Sequence, residues 1–202
     1  MAAVRPATVD DLDLLGGIAG AAFYDDPVMS WALRDDDRRL GQLTVMFRGL
    51  AEDVVPDRGR VLVADEASAC FWRDPTFDHH AEADDAGPDG DAGTDRPSPF
   101  TPDEQARFAI LGAAMHEAHP TDEHWYLNVV ATLPTHRSRG LGAAVLAPII
   151  AEADAAGLPC YLESTNPRNR TLYYRHGFED MGDIHLDTGV SMRQMWRLPQ
   201  QR

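Results

Sequence analysis

The chain has 202 residues, 44% of them hydrophobic and 25% charged, the composition of an ordinary globular protein with a core of its own. Acidic residues outnumber basic ones 33 to 18, for a formal charge of -15, which argues against nucleic acid or an anionic membrane surface as partner and favours attraction of cations. All 18 basic side chains are arginine. Cys70 and Cys160 each sit in an apolar run and read as buried thiols rather than a disulfide framework. The first residues lack the charged start and apolar run of a signal peptide. No apolar stretch approaches the roughly 18 residues of a membrane span, so the expected location is cytoplasmic.

In chain order, a short strand is predicted over 4–7, then an amphipathic helix over 9–23 with Thr8 as N-cap and Leu12, Leu15, Ile18, Ala19, Ala22 and Phe23 inward. Asp25-Asp26-Pro27 breaks it, a short helical piece covers 28–33, and Asp35-Asp36-Asp37 starts a helix with Leu40, Leu43, Met46, Phe47 and Leu50 as its apolar face. Segments 60–64 and 67–72 alternate as a hairpin. Residues 78–102 are acidic, rich in Gly and Pro and poor in large apolar groups, so an acidic surface loop, expected to be mobile, interrupts the fold without dividing it. Its aspartates lack the spacing of a calcium loop.

Thr101-Pro102 opens a helix to about residue 117. His116, His119 and His124 lie close together in sequence, but no pair has His-x3-His spacing and Pro120 interrupts them, so no metal is expected. A strand over 125–131 leads into a turn, and Gly140 opens a helix over 141–156 that Gly157 ends. A strand over 159–164, a short helix over 168–176 and a hairpin over 183–198 complete the chain. That hairpin offers an edge through which a homodimer could pair.

The segment Leu133-Pro-Thr-His-Arg-Ser-Arg-Gly-Leu-Gly-Ala carries the chemistry. It places Arg137-x-x-Gly140-x-Gly142 between a strand and a helix, where amide N–H groups and the helix dipole converge on an anion such as a diphosphate. Arg137 and Arg139 add charge-assisted hydrogen bonds there. A Walker loop is excluded because the chain has no lysine, and a dinucleotide fingerprint because only two glycines fit and they come late.

This turn, together with the block Cys160-Tyr-Leu-Glu-Ser-Thr-Asn-Pro-Arg-Asn-Arg-Thr-Leu-Tyr-Tyr-Arg-His-Gly-Phe178, resembles the GNAT superfamily of N-acetyltransferases. Residues 125–178 look most like the branch that contains puromycin N-acetyltransferase. The resemblance implies an α/β (α+β) fold: a mixed, mostly antiparallel sheet of six or seven strands flanked by helices, with a splayed central parallel pair. It implies a single acyltransferase domain over 1–202 and acetyl-CoA as co-substrate, with acetyl transferred directly to the amine of a small molecule such as an antibiotic or other metabolite. A protein or peptide acceptor, or a coenzyme-binding module without turnover, is the alternative.

Carried over residue by residue, the resemblance implies that Val129 and Val130 pair with the pantetheine, that the amides of Ser138, Arg139, Gly140, Leu141, Gly142 and Ala143 meet the diphosphate, and that Asn166 and Arg168 touch the coenzyme. Tyr173 is then the general acid for the departing thiolate, its alternative being plain core packing. Asn166 has the alternative of a turn cap. Glu163 is a candidate base or a substrate-orienting group, and His119 a second candidate base. Tyr24, Asp25, Asp26 and Trp72 are the candidate acceptor site, carboxylates and aromatic faces suiting a cationic amine. Their alternatives are helix caps and a core tryptophan.

Overall fold

The computed structural model describes residues 2–57, 59–77, 98–186 and 189–200. In chain order they form β1 (Val4–Pro6), a 3-10 turn (Val9–Asp11), α1 (Leu12–Phe23), α2 (Pro27–Ala32), α3 (Asp36–Asp57), β2 (Gly59–Ala64) and β3 (Ser68–Arg73). Then come α4 (Pro102–Ala118), β4 (Trp125–Thr132), α5 (Leu141–Ala156), β5 (Cys160–Ser164), α6 (Arg170–Arg175), β6 (Glu179–His185) and β7 (Ser191–Arg197). Most of the acidic loop expected over 78–102, and two residues of the last turn, lie outside the described residues. No described helix is long and apolar enough to cross a membrane.

The strands form one seven-stranded sheet in the order β1-β2-β3-β4-β5-β7-β6. All neighbours are antiparallel except β4 and β5, joined by α5 and therefore parallel. That pair is registered only at Trp125↔Cys160 and Tyr126↔Tyr161, after which the strands part. β4 also bulges: Phe71 faces Val129 while Trp72 faces Leu127, leaving Asn128 as the extra residue. The bulge flips the strand's phase, so Trp125 and Leu127 pack toward α5 while Val129 and Ala131 pack toward α1 and α3.

Both faces of the sheet are covered. Leu15, Ile18, Leu43, Phe47, Phe71 and Val129 form one core beneath α1 and α3, and Trp72, Leu127, Leu146, Ile149, Leu162 and Phe178 the other beneath α5 and α6. Every residue of β3 is buried, which is why its sequence runs apolar instead of alternating. Cys70 and Cys160 are buried free thiols, pushed up to about 12 by that burial.

Two expectations are corrected in detail. The helix expected over 9–23 begins with a 3-10 turn, because Asp11 turns back to accept the Thr8 N–H at 2.8 Å and both Arg5 guanidinium nitrogens at 2.7 Å. The Arg5 bond holds that carboxyl well below its usual range. On α3, Leu40 is 48% exposed rather than inward. Arg39 takes the inward place, its Nε donating to the Leu33 carbonyl at 2.7 Å and its far end pairing with Asp36.

Arg197 fastens the far side. It is 2% exposed, grips Asp154 of α5 through two bonds of 2.6 and 2.8 Å, and donates from Nε to the carbonyl of His176, the residue that ends α6.

Candidate active site

Where β4 and β5 part, a cleft partly open to solvent lies on the α1–α3 side of the sheet. Its floor is Tyr126, Asn128, Val129 and Val130 of β4 with Leu162 and Glu163 of β5. Thr165, Asn169 and Tyr173 form one wall, and apolar side chains of α1 to α4 form the other, Phe23, Met29, Phe47 and Leu111 among them.

Tyr173 reaches this cleft from α6. The phenol is 5% exposed, its ring packs edge-on against Phe178 with centroids 6.1 Å apart, and its hydroxyl makes no hydrogen bond to another described residue. Burial, and then the nearby Asp26, raise it far above the ordinary tyrosine range, so it keeps its proton at neutral pH.

Glu163 reaches the cleft from β5 with a side chain only 2% exposed. Tyr126 and Tyr161 border it; burial first, and the carboxylate's charge second, raise both phenols. His119 Nδ1 lies 3.8 Å from Glu163 Oε1. Behind it, His119 and His124 meet Nε2 to Nε2 at 3.2 Å, and His124 Nδ1 lies 2.6 Å from the Asp122 carbonyl. That carbonyl assigns the proton of His124 to Nδ1, so its Nε2 accepts from His119, which then turns Nδ1 toward Glu163. Burial lowers the pKa of His124 and keeps it neutral, consistent with this assignment.

The turn before α5 is built as an open amide cradle. Ser138 has φ 62° and Gly140 φ 79°, left-handed backbone that glycine adopts without strain. Gly140 caps α5 without a side-chain bond, and the first helical bond is from Ala144 to Gly140 O. The N–H groups of Leu141, Gly142 and Ala143 therefore have no acceptor within the helix. Arg137, Ser138, Arg139 and Gly140 are exposed, with Arg137 donating to the Ala22 carbonyl at 3.0 Å and Arg139 to that of Thr135 at 3.1 Å. A Cβ at Gly142 would sit 3.3 Å from Leu172 Cδ2, so its bareness also serves the contact of α5 with α6. The cradle's residues fit an anion as large as a diphosphate.

Asn166 accepts the Arg168 N–H at 3.1 Å as cap of the turn before α6, and Arg168 is exposed. The acceptor residues expected from sequence do not meet at the cleft. Trp72 is fully buried on the opposite face, in the core with Trp125 and Leu127, because the hairpin strand that carries it is covered on both sides. Asp26 is 4% exposed and caps α2, accepting from Val28 and Met29 N–H and, at 2.5 Å, from the Thr165 hydroxyl. Asp25 is exposed beside it. The Tyr24 hydroxyl donates to the Asp36 carbonyl at 3.2 Å and its ring carries the Arg39 guanidinium at 5.3 Å. What sequence reasoning missed is Asn128, Thr165, Asn169 and the apolar wall. The one usable signal was Asn128, a polar residue amid strong strand formers.

The acetyltransferase (GNAT) family model matches residues 64–178, more than half of the chain. The chain belongs to the GNAT family. Acetyl-CoA is the co-substrate of that family. A solved structure from Corynebacterium glutamicum, described as histone acetyltransferase HPA2 and related acetyltransferase, is 26% identical over 100% of this chain and 98% of its own, with TM-score 0.69. The Drosophila melanogaster polyamine N-acetyltransferase, which forms N-acetylagmatine, is 14% identical over 98% of this chain and 100% of its own, with TM-score 0.65. PaiA N-acetyltransferase of Thermoplasma acidophilum, solved with coenzyme A, is 10% identical over 98% and 99%, with TM-score 0.55. The last two likenesses show the shared fold. An uncharacterised N-acetyltransferase of Schizosaccharomyces pombe is 35% identical over 65 residues, a match spanning 32% of this chain and 26% of that relative.

Proposed function

We propose that the chain is an acetyl-CoA-dependent N-acetyltransferase that acts on a small-molecule amine, in a branch like that of puromycin N-acetyltransferase. One observation carries the reading: β4 and β5 part after two registered pairs, and Tyr173 and Glu163 reach the resulting cleft from different elements. When bound, acetyl-CoA supplies an activated acetyl thioester and a thiolate leaving group.

The edge of β4 left without β5 would receive the pantetheine as an added strand at Val129 and Val130, and an N–H near Val129 would stabilise the oxyanion. The cradle from Ser138 to Ala143 would hold the diphosphate, with Arg137, Arg139, Asn166 and Arg168 around it. Glu163 takes a proton from the bound ammonium, and His119 stands behind it to pass that proton on. The freed amine nitrogen bonds to the acetyl carbon as the carbon–sulfur bond breaks. Tyr173 gives its proton to the departing sulfur and regains one from solvent, to which the new amide nitrogen loses its surplus proton. The formal charge of -15 draws a cationic acceptor toward the protein.

The test is to mix protein, acetyl-CoA and an amine panel and follow free thiol together with acetylated product by mass. Amine-dependent thiol release with a matching N-acetyl product is expected. Release no faster than an amine-free blank for every amine refutes the reading. The relative described as a histone acetyltransferase gives a second reading, a peptide acceptor; acetylation of peptides in preference to free amines would favour it.

A further inference from the structure

Among the described residues, two buried acceptor atoms of the cleft have no hydrogen-bond partner: Oε1 of Glu163, which His119 Nδ1 approaches only to 3.8 Å, and Oδ1 of Asn128. They come from the two strands that part there, and both side chains line the same cavity. A buried acceptor is stable only when a donor meets it. Two acceptors and one negative charge call for a group rich in N–H that carries a single positive charge, which describes a primary ammonium.

Among the described residues lining the cleft, Glu163 is the single carboxylate. Asp26 lies beyond the lining, and its oxygens are already taken by the amides of Val28 and Met29 and the hydroxyl of Thr165. The opposite wall is apolar, with Phe23, Met29, Phe47, Leu111, Met115 and Met192. A second cation along an acceptor would therefore face hydrocarbon and lose its hydration without a counter-charge. An apolar or aromatic body would instead gain from thioether and ring contacts.

We propose that the acceptor is a compact monoamine with an apolar body, its ammonium held between Glu163 Oε1 and Asn128 Oδ1 and its body against the Phe–Met–Leu wall. The proposal rests on the N-acetyltransferase reading and narrows it. It sets this chain apart from the structural neighbours described as polyamine and agmatine N-acetyltransferases, whose likeness is one of fold.

The experiment has two readouts. The first is calorimetric binding of phenethylamine, putrescine and agmatine to the protein holding coenzyme A, in wild type and Asn128→Leu. Phenethylamine binding at least about tenfold tighter than either dication, and weakened by about tenfold in Asn128→Leu, supports the proposal. Equal or tighter binding of putrescine or agmatine overturns it, as does phenethylamine binding indifferent to Asn128→Leu in a variant whose melting temperature matches wild type. A melting temperature that falls moves the second comparison to Asn128→Asp, in which a second carboxylate should raise putrescine affinity relative to phenethylamine; an unchanged ratio overturns the proposal. The second readout is acetyl transfer to the same amines. Transfer that prefers a dication overturns the substrate class and leaves the transferase reading standing. Binding of phenethylamine as described, without transfer to any amine, supports the subsite and refutes the transferase reading.

Discussion

Replacing Tyr173 with Phe removes one oxygen from the cleft and little else. The ring is 5% exposed and keeps its edge-on contact with Phe178, and the hydroxyl has no hydrogen bond to another described residue. Stability should therefore stay within about 1 kcal/mol of wild type. If the hydroxyl protonates the departing sulfur, its loss should lower kcat by about 10²–10⁴-fold, or roughly 3–5 kcal/mol in the barrier. KM for the amine should hold, since Glu163 and Asn128 are untouched. The assay is thiol release at saturating acetyl-CoA, with unfolding in urea measured alongside. Because burial raises the phenol, wild-type kcat should show no fall from Tyr173 ionising at mildly alkaline pH. A Tyr173→Phe enzyme with kcat within about twofold of wild type would show that the proton comes from elsewhere.

Gly140→Ala should fold but weaken coenzyme A binding measured by calorimetry: nothing lies within 4 Å of the added Cβ, yet a φ of 79° strains it by roughly 1–2 kcal/mol, and the cradle would relax away from its shape. Asp154→Ala should cost about 3–5 kcal/mol in urea unfolding, because it strands the guanidinium of Arg197, 2% exposed, without its two bonds. Asp26→Asn should be neutral or stabilising at pH 7. Burial raises the Asp26 pKa above its unfolded value of about 3.9, so wild type binds more protons folded than unfolded in that window and loses stability as pH rises through it. Unfolding of the two proteins compared from pH 4 to pH 8 should show a difference that grows with pH; a constant difference would contradict the assignment.

The architecture was legible where Gly, Pro and capping residues punctuate the chain. Thr101-Pro102, Gly140 and Gly157 mark real helix ends because each supplies a cap or a left-handed backbone that the neighbouring residues could not. The glycine turn before α5 was legible from its residue types, whereas Tyr173 was singled out by the family resemblance and Glu163 by its place at the end of a strand; both line the cleft. Trp72 was not, since a strand covered on both faces loses the alternation that tells inward from outward. Asp26 and Asp25 are adjacent and alike in sequence, and only the path of the chain makes one a buried cap and the other a solvent group. Asn128 stood out only as a polar residue among strand formers; its place at the bulge in β4, which no residue type announces, shows only in the pairing register. The apolar wall of the cleft is drawn from four helices and β7, far apart in the chain, and no local pattern announces their meeting.

The early parting of β4 from β5 has a cost in colloidal terms. It leaves a length of bare backbone in the middle of a sheet, the kind of edge that recruits foreign chains. Here that edge lies in the cleft, walled by side chains of α1 to α4 and by Tyr173 of α6, instead of at the rim of the sheet. Arg197 and Asp154 hold one jamb of the cleft by anchoring the end of α6. Cutting that anchor should make the protein self-associate at temperatures below its melting point, with the escaped edge as the nucleus.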